Sequence, residues 1–236
     1  GDLAWILSLL WKQNTALFAP VLLRLRSWRV LGLAALAIAV TSIPYFAAFP
    51  LALPAFLANL RSGPPSFQLG NLGFRQLLFS LSSWLWPRAP HALLQQLWVA
   101  LIVVIGIWRT WSSKGPDIVL SLCLWISTYF LIYHHVWEHH YVMLLPVFAV
   151  LYLRAHSPLV LALYALVAVW TPYVLIDPTG IAAYHTPMRW TPLEPRILDV
   201  CYHASKALPT LALWGYILWL LRKPAYSADS EPCSSY

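Results

Sequence analysis

The sequence predicts an all-α polytopic membrane protein with about six to seven transmembrane helices. Three observations lead there. Hydrophobic residues make up 60% of the chain and charged residues 10%, against about 25% charged in a soluble domain. Mean hydropathy is +0.66. The apolar residues lie in long runs and do not alternate with polar ones, which is the pattern of membrane spans. Fourteen Trp and twelve Tyr fit aromatic belts at the two membrane interfaces.

The apolar segments, in order, are 3–23, 30–49, 92–108, 118–135, 141–154, 158–175 and 205–221. Most approach the ~20 residues that a tilted helix needs to cross a ~30 Å hydrocarbon core. Segment 141–154 is short and is expected to start earlier, near Trp137. The triplet Lys12-Gln13-Asn14 interrupts the first segment. It either lines a cavity within a broken helix or sits at the water-exposed turn of a helical hairpin.

Basic residues give a topology. Arg24, Arg26 and Arg29 follow the first segment, Arg109 and Lys114 the third, Arg154 the fifth, and Arg222 and Lys223 the last. These junctions alternate correctly if all four face the cytoplasm. The outer side then holds the loop near 50–91, the tight turn around 134–140 and the loop near 176–204. The net charge of +7 is spread over small groups, so no nucleic-acid partner is implied. Cys123, Cys201 and Cys233 have no metal-site spacing.

The organisation expected is a membrane bundle over 1–223 and a disordered cytoplasmic tail over 224–236. In the first outer loop, Pro50, Pro54, Pro64 and Pro65 preclude one straight helix. Phe74 to Trp86 reads as an interfacial helix. The chain opens on Gly1-Asp2 without a signal-peptide pattern, as a fragment or a processed chain would.

The most informative stretch is Tyr133-His-His-Val-Trp-Glu-His-His-Tyr141, with four of the eight histidines and one of three glutamates. Three readings compete. His135, Glu138 and His139 spell the H-x-x-E-H order of inverted zinc proteases. His135 and His139 would then share a metal, with His185, Glu194 or His203 as third ligand. A structural reading has the histidines bonding to backbone carbonyls and headgroups. The third reading is an anion site: Glu138, His139 and His140 at the start of a helix, where free N–H groups and the dipole favour a lipid phosphate. Glu138 would hold a neighbouring histidine as donor or keep it charged.

The run Trp137-Glu-His-His-Tyr-Val-Met-Leu-Leu-Pro146 resembles the W-[ED]-H-H-x-x-x-x-L-P stretch of the family-87 glycosyltransferases. These are polyprenyl-phosphate-mannose-dependent mannosyltransferases of bacterial envelopes, with a GT-C-type bundle. Leu10 to Leu23, followed by the basic residues Arg24 to Arg29, resembles the family's K-P-Q-P segment and basic loop. Gly70-Asn-Leu-Gly-Phe-Arg-Gln-Leu-Leu78 resembles its G-N-Q-S-x-x-G-L-L segment. Asn14-Thr15 and Leu72-Gly73 depart from those patterns. The family's catalytic Asp lies in an N-terminal outer loop that no part of this chain matches, so the resemblance implies the C-terminal part of a longer enzyme.

What the resemblance implies is transfer of a hexose, mannose in that family, from a polyprenyl phosphate to a hydroxyl of a glycolipid or glycan, outside the bacterial inner membrane. The absent Asp would take the acceptor proton. Glu138, His139 and His140 would serve the donor phosphate. Arg75, Asn71, Lys12, Arg189, Arg196 and Trp137 are candidates for binding phosphate or sugar, and Trp190 for stacking. The arginines and tryptophans also fit headgroup contacts and interfacial anchors. No cofactor or metal is required by this reading. A histidine-based metalloenzyme and a transporter or scaffold without catalysis are the alternatives.

Overall fold

The computed structural model describes residues 2–11, 13–60, 70–112, 117–169 and 196–222. The described residues form helices and turns, without a strand among them. In chain order the helices are α1 (Asp2–Trp11), α2 (Ala19–Arg24), α3 (Trp28–Ala48), α4 (Ala52–Leu60), α5 (Phe74–Leu85), α6 (His91–Ser112), α7 (Ile118–Ile132), α8 (Leu145–Ala155), α9 (Pro158–Ala168) and α10 (Arg196–Leu220). Two 3-10 stretches, Gln13–Phe18 and Glu138–Leu144, lead into α2 and α8.

Two of these helices, α3 and α6, are long and apolar enough to cross a membrane by length and composition. The remaining predicted segments depart from their expected bounds. The first breaks after Trp11 and doubles back: the Trp5 indole donates to the Thr15 carbonyl at 3.1 Å. Ten residues of continuous helix would separate them by about 15 Å. The segment is thus a broken helix, and Lys12 and the side chains of Gln13 and Asn14 lie outside the described residues.

Segment 118–135 ends early, at Ile132, because Tyr133 turns to extended backbone (φ −71°, ψ 146°). Segment 141–154 begins earlier, at Glu138, with Trp137 as its cap. Pro146 sits in the first turn of α8, where its missing N–H costs nothing. The predicted 50–91 loop contains two helices, α4 and α5. α5, expected as an interfacial helix, has one face covered by protein. Phe74, Gln76, Leu77 and Ser80 are buried where α5 packs on α10, α6 and α7. An apolar stripe reads alike whether lipid or protein covers it. The predicted 176–204 loop is helical from Arg196, because the polar residues Asp199 and His203 are buried inside the bundle.

Tryptophans hold the core in register. α6 and α7 run antiparallel: Trp98 donates to the Leu131 carbonyl at 2.9 Å, and Trp125 to the Thr110 hydroxyl at 3.0 Å. The Trp125 ring packs over Gly106. Trp214 of α10 donates to Thr128 of α7 at 3.0 Å. Leu124, Phe130, Leu144, Leu213 and Ile217 fill the space between these helices.

These contacts define two ends. At one, Arg24 donates to the Thr110 carbonyl, Arg154 pairs with Asp117, and Arg222 lies within electrostatic reach of Arg109. The four basic junctions thus gather together. The other end carries the histidine turn.

Candidate functional site

The turn forms because α7 stops and the chain runs extended past the Gly70–Gly73 loop. The Leu72 N–H donates to the Val136 carbonyl at 2.7 Å. Asn71, only 3% exposed, ties the two segments together. Its nitrogen donates to the His134 carbonyl at 2.7 Å, and its oxygen accepts from Val136 at 3.0 Å and Gly73 at 3.2 Å. Gly73 is required by this approach, since a Cβ there would lie 2.9 Å from a Val136 methyl. Tyr141 adds a third tie, its hydroxyl donating to the Leu72 carbonyl at 2.9 Å. The sequence assigned Asn71 to phosphate or sugar. Its polar atoms are instead used in the clamp, which makes it a positioning residue.

His140 is oriented by the backbone. Its Nδ1 accepts the Trp137 N–H at 3.1 Å, and its own N–H donates to the Trp137 carbonyl at 2.9 Å. A neutral ring bonded in this way carries its proton on Nε2. His139 is exposed beside it, with ring centroids 4.3 Å apart. His135 lies before the 3-10 stretch, stacked at 6.5 Å on Trp137. His135 and His139 therefore do not share one helical turn, and the geometry expected of H-x-x-E-H is absent. No three His, Cys, Asp or Glu side chains converge for a metal among the described residues.

Arg75 joins the turn on the other flank. It donates to the Gln95 side chain at 3.1 Å, and Gln95 donates back to the Arg75 carbonyl at 3.1 Å. Its Nε is buried without a hydrogen-bond partner. Burial holds the guanidinium below its usual range, yet an arginine stays charged. Burial, then the neighbouring His135 and Arg75, push His134 down to about 4. Burial, then Arg75, lower His135 as well. Arg75 thus serves the His134–His135 side of the turn.

On the Glu138 side opens a cleft of about 180 Å³, lined by Glu138, Tyr141, Val142, Leu145, Phe148 and Lys206 among others. Lys206 is 2% exposed. Its ammonium donates to the Val167 carbonyl at 2.6 Å and also to that of Val169, at the end of α9. Lys206 also lines the cleft. Behind it, His203 donates from Nδ1 to the Asn71 carbonyl at 3.0 Å, with Nε2 3.6 Å from Asp199. His203 is thus a buried strut of the clamp rather than a metal ligand.

The sequence reading missed Lys206 and Asp199. A lone lysine inside apolar run 205–221 was the available signal, because a buried charge is costly unless it is paired or hydrogen-bonded. Arg196 stands exposed at the start of α10, two turns before His203. Lys12, His185, Arg189, Trp190 and Glu194 lie outside the described residues. No family model, curated protein or solved structure matches this chain.

Proposed function

We propose that this chain spans a membrane several times and binds a polyprenyl-phosphate sugar at the histidine turn, as the donor-side part of a hexosyltransferase. The observation that carries the reading is the cleft beside the turn. Its polar wall is Glu138 and Lys206, and its remaining wall is apolar or aromatic. That division suits an amphiphile with a charged head and a prenyl chain. Phosphate oxygens would accept from Lys206 in the cleft, and His139 and His140, in the same 3-10 stretch as the lining residue Glu138, are proposed as further donors. Arg75 lies on the His134 side of the turn and Lys206 on the Glu138 side, where the Glu138 carboxylate shares the cleft with it.

In the reaction proposed, the bond from the sugar's anomeric carbon to the phosphate oxygen breaks and a bond to the acceptor oxygen forms. The polyprenyl phosphate leaves as a stable anion, so charge stabilisation matters more than protonation. The acceptor proton goes to a base, for which the resemblance expects an Asp that this chain does not match. Four basic junctions at one end and the turn at the other support an outward-facing site, by the bias of basic loops to the cytoplasm.

The test is transfer of radiolabelled hexose from polyprenyl phosphate by membranes containing the full-length protein. Loss of transfer in His139→Ala plus His140→Ala is expected. Unchanged transfer would remove these residues from the site.

A further inference from the structure

We propose a second anion site at the opposite end of the bundle, one that binds the phosphate of an anionic phospholipid. It rests on the membrane reading above but not on the transferase reading. A cleft of about 470 Å³ is lined by Leu23, Arg24, Arg26, Trp28 and Trp111. Two arginines therefore line one cavity.

Arg24 is fixed on the Thr110 carbonyl of α6. The turn carrying Arg26 is closed by three backbone bonds: Arg26 to Leu23 at 3.0 Å, Ser27 to Leu22 at 3.0 Å and Trp28 to Arg26 at 2.8 Å. Arg26 has φ 55°, the left-handed region that favours glycine. The two bonds from Arg26 and Ser27 are those of a left-handed helix cap after α2, which fixes where Arg26 leaves the backbone.

The two tryptophans say why the phosphate is a lipid's. Trp28 begins α3 and Trp111 lies in the last turn of α6, the two helices long enough to span. Their side chains are 63% and 46% exposed. Tryptophan in that position sits at headgroup depth. The cleft therefore opens where a phospholipid presents its phosphate.

The experiment uses native mass spectrometry of the detergent-purified chain, titrated with phosphatidylglycerol or with phosphatidylcholine. Phosphatidylglycerol is expected to bind more tightly. Arg26→Gly retains the left-handed turn and removes the guanidinium, so it should weaken that binding about fivefold without unfolding the protein. Equal binding of the two lipids, or no change in Arg26→Gly, would overturn the site. Displacement by millimolar inorganic phosphate would reassign it to a free anion and overturn the lipid assignment. Flotation with phosphatidylcholine vesicles, resistant to alkaline extraction, checks the membrane reading separately. Insertion without a lipid preference sinks this inference alone, and failure to insert sinks both.

Discussion

Asn71 holds His134 across 63 residues of chain: its side-chain nitrogen donates to the His134 carbonyl at 2.7 Å. The same side chain accepts from Val136 and Gly73. Asn71→Ala strands three buried backbone groups and should destabilise the protein by about 2–4 kcal/mol. Thermal melting of the purified variant checks this. A melting temperature equal to that of the parent would mean that the clamp contributes nothing.

Gly73 and Val136 should be energetically coupled. Gly73→Ala forces a Cβ to within 2.9 Å of a Val136 methyl, a cost of about 1–3 kcal/mol. Val136→Ala removes that methyl, so the double variant should recover about 1 kcal/mol relative to the sum of the singles. Strict additivity in denaturant melts would show that the two do not meet.

His140 should be observed as the Nε2–H tautomer when neutral, because its Nδ1 accepts the Trp137 N–H. Nitrogen-15 NMR of histidine-labelled protein reads this from the ring shifts. A neutral ring protonated at Nδ1 would contradict the capped geometry.

His134, beyond the end of α7, should make stability fall on acidification. Its folded value is about 4 against 6.5 for the free side chain. The unfolded chain therefore takes up a proton that the folded chain refuses, and stability is lost as the pH drops from 6.5 towards 4. Above 6.5 this residue makes no difference. Melting temperatures across that window should fall less steeply in His134→Asn than in the parent.

How much of this was legible beforehand differs from element to element. Helical runs and the position of the turn could be read because apolar stretches and Pro146 act locally. The clustering of Arg24, Arg109, Arg154 and Arg222 followed from charge alternating along the chain. Asn71 was identified, but its role was not: the clamp depends on a partner 63 residues away. Lys206 was passed over because its neighbours are apolar, and only the ends of α9 and the 3-10 stretch give it partners. The burial of α5 could not be seen, because periodicity does not say which neighbour covers a stripe.

The central claim is that a polyprenyl phosphate lies in the cleft beside the histidine turn. It is tested most directly by crosslinking the chain with a diazirine-bearing polyprenyl phosphate and mapping the labelled peptides by mass spectrometry. Labelling should fall on 138–148 and on the peptide that holds Lys206, and unlabelled polyprenyl phosphate should compete it away. Labelling spread over the exposed faces of α3 and α6, insensitive to competition and unchanged by His139→Ala plus His140→Ala, would contradict the assignment.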